Sequence, residues 1–364
     1  WTALIIVSFT MMMGYYVTDL LSPLESILTT PVAQGGLGWT ADDYGFFSGS
    51  YGLINVFLLM LFFGGIILDK LGIRFTGVLS TSLMVVGVLI KYVAVSTDFH
   101  GAVVSIGSFH LPMSAAVACL GFAIFGVGSE ITGITISKTI TKWFTGHELA
   151  LAMGVQVALA RLGTAAALGL NLPLAKATDL GLQLPVLVGA ALLIAGLLGF
   201  LVYNVMDRRL DASIAAVAGE SATEEAEDES FKFSDLGKIF SNPGFWLIAL
   251  LCLLFYSGVF PFLKFATKLM ISNYGVAEEY AGLIPGLLPF GTIILTPLFG
   301  IVYDKVGKGA TLMLIGSVML TAVHFPFLLP VLPYGWVAII LLLVLGVAFA
   351  LVAAAMWPRV PRII

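Results

Sequence analysis

Long apolar runs alternate with short polar segments along nearly the whole chain. The pattern predicts ten spans, at 4–28, 44–68, 75–96, 115–138, 148–175, 184–206, 244–270, 280–303, 310–331 and 336–357. Helices of this length cross a hydrocarbon core of ~30 Å, and no ten-residue alternation suggests a membrane barrel. One long polar interval, 207–243, divides six spans from four. Its first part, DASIAAVAGESATEEAEDES, has the composition of a disordered linker. Its second part, FKFSDLGKIFSNPGFW, spaces Phe233, Leu236, Ile239 and Phe240 on one side, as an interfacial helix does, before Pro243 starts the next span. The expected organisation is a six-helix bundle over 1–206, an acidic cytoplasmic linker with an interfacial helix over 207–243, and a second bundle over 244–364.

Composition turns this reading into a requirement. Of the 364 residues 59% are hydrophobic and only 10% charged, with mean hydropathy +1.05. Soluble domains run near a quarter charged, and a chain this apolar cannot cover itself with polar surface. It is an all-α integral membrane protein, with the lipid bilayer as its first partner. The net charge of −4 is set by seven acids between 211 and 229, without which the balance is +3. No general acidic character remains, and nothing indicates nucleic-acid binding.

Basic residues fix the orientation. Lys70 and Arg74, Lys138 and Lys142, Arg208, Arg209, Lys232 and Lys238, Lys305 and Lys308, and Arg359 and Arg362 all fall in alternate loops. The opposite loops carry Asp42, Asp43, Asp98, Glu278 and Glu279, with Lys176 the lone clear base. By the positive-inside rule the first set, and with it the N-terminus, is cytoplasmic. An internal repeat supports a two-part chain: GIILDKLG (65–72) and GIVYDKVG (300–307) agree at five of eight positions, each after the second span of its half. Two six-helix halves in the same orientation are expected. Four spans are visible in the second half, so the chain is expected to stop before its natural terminus.

The loop Gly65-Ile66-Ile67-Leu68-Asp69-Lys70-Leu71-Gly72-Ile73-Arg74 resembles the G-x-x-x-D-[RK]-x-G-x-[RK] signature of the major facilitator superfamily, with Asp304 and Lys305 as second-half counterparts. The resemblance implies two pseudo-symmetric six-helix bundles and a gating role for Gly65, Asp69, Lys70, Gly72, Arg74, Asp304 and Lys305. Asp69 lies at the partially negative end of its helix and needs a cationic partner. In the superfamily that partner comes largely from the eleventh helix. WFTGHELALAMGVQVALARLG (143–163), VFPF followed by Lys268, and MWP (356–358) are similar to the branch of lysosomal dipeptide transporters and their bacterial relatives. No Asn-x-Ser/Thr sequon is present, which points to a bacterial member in the plasma membrane, the lysosomal membrane being the alternative.

Against this apolar background two charges stand out. Glu130 lies 13 residues before Trp143, and Arg161 lies 13 residues after Glu148. Each is therefore roughly 20 Å from one cytoplasmic turn, near the bilayer midplane, where a charge costs ~2.5–3.5 kcal/mol to insert. Two readings stay open. Glu130 and Arg161 form a structural ion pair, which stabilises poorly because desolvation offsets the attraction. Or they line a pathway and receive a substrate with opposite charges at its ends, the ammonium meeting Glu130 and the carboxylate the Arg161 fork. Intramembrane charges are functional by default, which favours the second. The resemblance implies the same, since the dipeptide-transporting branch has Glu and Arg at these positions.

Lesser candidates surround the pair. Asp19, in GYYVTDLLSPLES, is aimed inward if Pro23 breaks the span, while Glu25 reads as an extracellular helix end. Asn55 is a pathway hydrogen-bonder or interhelical glue. Gln156, Tyr256 and Trp357 line a cavity, although packing accounts for both aromatics equally well. Lys268 shares its position with the branch and attracts or gates substrate; Lys264 and Lys91 read as snorkelling side chains. Gly121, Gly126, Gly128, Gly154 and Gly163 are expected to allow close, sliding helix contacts. Cys119 and Cys252 lie in separate spans, and His100, His110, His147 and His324 are scattered, so neither a disulfide framework nor a metal site is expected. No phosphate-binding Gly-rich Lys loop and no nucleophile–base pair occurs, so the chain is expected to use no cofactor and not to be an enzyme. The function expected is alternating-access transport of small zwitterions, dipeptides above all and including those with cationic side chains, by a monomer. A proton-coupled organic-anion porter and a non-transporting receptor are the alternatives.

Overall fold

The computed structural model describes residues 1–106, 109–144, 148–218, 237, 239–328 and 334–356. Among the described residues nine helices are long and apolar enough to cross a membrane. The contacts divide the chain into two units, Trp1–Ala216 and Val217–Ile364.

The first unit opens with α1 (Thr2–Asp19), which stops where Pro23 cannot continue it. A short 3-10 turn, Ser22–Leu24, and the helix α2 (Glu25–Leu28) follow. Breaking a helix in a membrane frees backbone carbonyls, and in the absence of water they need protein donors. Lys91 Nζ donates to the Val17 carbonyl at 3.1 Å, and Asn171 Nδ2 donates to the Leu20 carbonyl at 3.2 Å. The Tyr16 hydroxyl in turn donates to Asn171 Oδ1. Lys91 is therefore no snorkelling side chain. It is 1% exposed, with its ammonium over the faces of Phe122 and Phe125 at 4.6 and 4.7 Å. The carbonyl and two ring faces offset the loss of water. Glu25 heads α2, as a helix-end residue, but is buried rather than set in solvent.

The second predicted span is not one helix. It comprises α3 (Ala41–Ser50), α4 (Leu53–Phe57) and the first arm of α5 (Met60–Ser96), with a turn at Tyr51 and Gly52 and a left-handed Leu59 (φ 50°) between the pieces. α5 then turns a corner at Gly72, whose φ of 77° and ψ of 172° suit glycine, and its second arm is the predicted third span. Ten predicted spans thus appear as nine long helices because one is cut and another is joined across a corner. α6 (Met113–Phe144), α7 (Leu149–Lys176) and α8 (Gln183–Ala218) complete the unit, α8 running past the expected boundary at 206. A two-stranded hairpin that the hydropathy pattern did not predict, β1 (Val103–Ile106) with β2 (Phe109–Pro112), lies before α6; Val103 pairs with Pro112.

α5 packs along α6, and α1 along α7. Small residues let backbones meet: a Cβ on Gly121 would stand 2.7 Å from the Gly87 carbonyl oxygen, and one on Gly163 would overlap the carbonyl of Met12. Gly154, expected to do the same, meets nothing within 4 Å. The core is aromatic where α3, α5 and α6 converge, with Phe47 stacked on Phe122 at 4.8 Å.

The second unit holds α9 (Pro243–Tyr274), α10 (Glu278–Ala281), α11 (Leu283–Val306), α12 (Gly309–Leu328) and α13 (Gly335–Met356). α13 packs against both α11 and α12 through a buried run rich in alanine. Of the predicted interfacial helix, Phe233 and Leu236 lie outside the described residues; Ile239 and Phe240 are helical.

Candidate functional site

Glu130 projects from the middle of α6 and Arg161 from the middle of α7, both half-buried. Glu130 accepts a hydrogen bond at 2.7 Å from the phenol of Tyr51, the residue at the first break in the cut span. The sequence prepares this seat. Gly126 lies about one turn before Glu130, and a Cβ there would overlap the Tyr51 carbonyl oxygen, so glycine admits the Tyr51 backbone against α6. The Tyr51 ring packs against Phe122 and Phe125, with centroids at 5.3 and 6.3 Å.

Arg161 answers on the other side. Its guanidinium lies 5.9 Å from the ring centroid of Tyr15, within the range of a cation–π contact. Tyr15 stands within electrostatic reach of Arg161, Glu130 and Asp19, and Tyr51 within reach of Glu130 and Tyr15. Three candidate charges from α1, α6 and α7 thus act on Tyr15, and one of them, Glu130, also holds Tyr51; sequence reading passed over both tyrosines. Tyr15 was legible in principle: it precedes Asp19 by four residues and shares its helix face. Tyr51 was not, because nothing in hydropathy marks where a span will be cut.

Asn55 sits on α4, one turn beyond Tyr51; both polar atoms of its carboxamide are buried and without a hydrogen-bond partner among the described residues. Gln156 is half-buried on α7, but five residues from Arg161 places it about 140° round the helix. Tyr256 and Lys268 belong to α9 in the second unit. Tyr256 stacks on Phe260 at 5.2 Å and meets Phe349 edge-on at 6.2 Å, as aromatic packing requires. Trp357 lies outside the described residues, and so does the side chain of Asp304.

A match to the Major Facilitator Superfamily model runs over residues 4–364. The chain belongs to the major facilitator superfamily. It is 27% identical over 318 residues to the lysosomal dipeptide transporter MFSD1 of Bos taurus, covering 84% of this chain and 62% of that protein. To the Homo sapiens MFSD1 it is 26% identical over 319 residues, with the same coverage. The chain thus spans about three fifths of the length of these curated relatives. Among solved structures it resembles the xylose transporter XylE from E. coli in a partially occluded inward open conformation, at TM-score 0.67 and 18% identity over 100% of this chain and 84% of that one. It also resembles the nucleoside transporter NupG, at TM-score 0.70 and 14% identity with the same coverage. At such identities the likeness is one of fold.

The superfamily's loop motif is built around its basic residues. Asp69 pairs with Lys138 of α6 at 2.6 Å, a partner within its own unit, and both side chains are about half exposed. Gly72 makes the corner; Lys70 and, in the second unit, Lys305 are exposed. Arg74 reaches α8, where it lies 3.1 Å from Asp211 and 3.6 Å from Asp207. Asp207 is the centre of this group and is 1% exposed. Lys142 Nζ donates to its two oxygens at 2.9 and 3.0 Å, Trp143 Nε1 donates at 3.2 Å, and the Tyr203 hydroxyl at 3.0 Å. Sequence reading missed Asp207 because it stands beside Arg208 and Arg209 and reads as the start of a loop.

Proposed function

We propose that this chain is a transporter that moves small zwitterions, dipeptides foremost, across a membrane by alternating access about a midplane site. The observation that carries the reading is that Glu130 and Arg161, opposite charges on two spans, both act on Tyr15, with Tyr51 bonded to Glu130. A cargo ammonium meets the Glu130 carboxylate, and a cargo carboxylate takes two parallel hydrogen bonds from the Arg161 fork. The tyrosines supply polar edges and flat faces between the two ends. The names of the curated relatives support the dipeptide as cargo. The run of basic loops supports a cytoplasmic N-terminus, and the missing sequons a bacterial plasma membrane rather than a lysosomal one. The loop motif, with Asp69 on Lys138, then lies at the inner gate.

Dipeptides are expected to raise the unfolding temperature of the purified protein, and Glu130→Ala and Arg161→Ala each to abolish the rise while leaving the helical content intact. A rise that persists in either variant removes that residue from the site. The Tyr51–Glu130 hydrogen bond favours one competing reading, in which Arg161 alone grips an organic anion and Glu130 carries a coupling proton. Stabilisation by monocarboxylates equal to that by dipeptides, steeply dependent on pH, would select it.

A further inference from the structure

We propose that Asn55 recognises the peptide carbonyl of the cargo, so that the site reads the amide backbone as well as the two charged ends. The inference rests on the zwitterion reading above and adds a specificity residue to it.

The starting point is an imbalance. Asn55 Oδ1 and Nδ2 are both shielded from solvent, and neither has a hydrogen-bond partner among the described residues. A buried donor and a buried acceptor left unpaired are costly, and native proteins keep few of them. The place is equally telling. Tyr51, about one turn earlier, bonds Glu130, and its backbone rests on Gly126; further along the same span Gly64 abuts Ile131, where a Cβ would come 2.6 Å from Cγ1. Asn55 is thus bracketed by contacts to Gly126 and Ile131, the stretch of α6 that carries Glu130, and α4 packs against α6. Its neighbours Val56 and Phe57 are exposed, so the shielded carboxamide is turned the other way.

The chemistry follows from the shape of a dipeptide. A trans peptide group shows its N–H and C=O on opposite edges, so one carboxamide cannot take both. The first residue of an extended dipeptide, however, presents its ammonium and its carbonyl on one edge. Asn55 fits that edge once the cargo displaces the side chains that cover it: Oδ1 then accepts from the ammonium beside Glu130, and Nδ2 donates to the peptide C=O. Both orphaned atoms are then paired, and a cargo without the carbonyl leaves Nδ2 buried and unpaired.

Three compounds of equal length test this in the intact protein. Glycylglycine has the carbonyl and the N–H, 5-aminolevulinate keeps the carbonyl and lacks the N–H, and 5-aminopentanoate lacks both. Calorimetric affinities for the wild type are expected to be similar for the first two and roughly tenfold or more weaker for 5-aminopentanoate. Asn55→Leu is expected to erase the difference among the three, since the donor to the carbonyl is gone and all three lose the same acceptor for the ammonium. Asn55→Asp, which keeps the acceptor and loses the donor, is expected to erase the same distinction and serves if the leucine variant does not fold. Equal binding of all three by the wild type, or a distinction that survives in either variant, overturns the assignment while the zwitterion reading stands. If glycylglycine and longer-chained dipeptides all fail to bind the wild type, the zwitterion reading itself falls, and the role of Asn55 with it.

Discussion

Two carboxylates of the first unit, Asp207, buried, and Glu130, half-buried, have surroundings that differ in kind. Asp207 receives Lys142 twice, Trp143 and Tyr203, with Arg74 close by. An acid so fully supplied has no capacity for anything further and serves to tie α5, α6 and α8 together. Among the described residues Glu130 takes its hydrogen bond from one phenol, that of Tyr51, while the guanidinium of Arg161 lies over the ring of Tyr15. A carboxylate accepts up to about four hydrogen bonds. The comparison teaches that charge alone does not separate a structural acid from a binding one; the number and charge of its donors does.

Removing Asp207 is the severest way to probe this contrast. Asp207→Ala leaves Arg74 and Lys142 to share Asp211, at 3.1 and 2.6 Å, and strands the Trp143 and Tyr203 donors; a loss of about 3 kcal/mol is expected, at the low end for a buried pair because Asp211 still answers both cations. Denaturant unfolding in detergent measures it, and unaltered dipeptide affinity in the folded fraction keeps the two regions distinct. Arg161→Lys comes next: the charge remains and the fork is lost, so dipeptide affinity is expected to fall roughly ten- to a hundredfold with unchanged thermal stability. A lysine variant that binds like the wild type would show that Arg161 acts only as a point charge. Tyr51→Phe removes the phenol that donates to Glu130, and a change of about 1 kcal/mol, some fivefold in affinity, is expected by calorimetry. Smallest is Asp69→Asn. Its pair with Lys138 is half exposed, so a stability change below about 1 kcal/mol is expected, and any larger effect on transport rate in liposomes belongs to gating.

Much of the architecture was legible in advance because spanning a bilayer is a question of length and apolarity, and runs such as 115–138 and 184–206 answer it directly. The mid-helix placing of Glu130 and Arg161 was legible because sequence distance counts helical turns. What escaped was decided by neighbours. Lys91 looked like a snorkelling side chain because its depth could be counted; that a broken α1 would offer it the Val17 carbonyl could not. Asp207 was hidden by two adjacent arginines and by a helix that runs on to Ala218. Tyr51 depends on a cut in the second span, which arises from local backbone geometry around Gly52 and Leu59 and leaves the average hydropathy untouched.

That cut has a mechanical side. Leu59 holds a left-handed backbone at φ 50°, a state that costs a side-chain-bearing residue roughly 1–2 kcal/mol. The first span is cut too, but its loose ends are clamped by Lys91 and Asn171. One kinked rod in this bundle is therefore bolted, and the other carries its strain at Leu59, eight residues downstream of the tyrosine that touches Glu130.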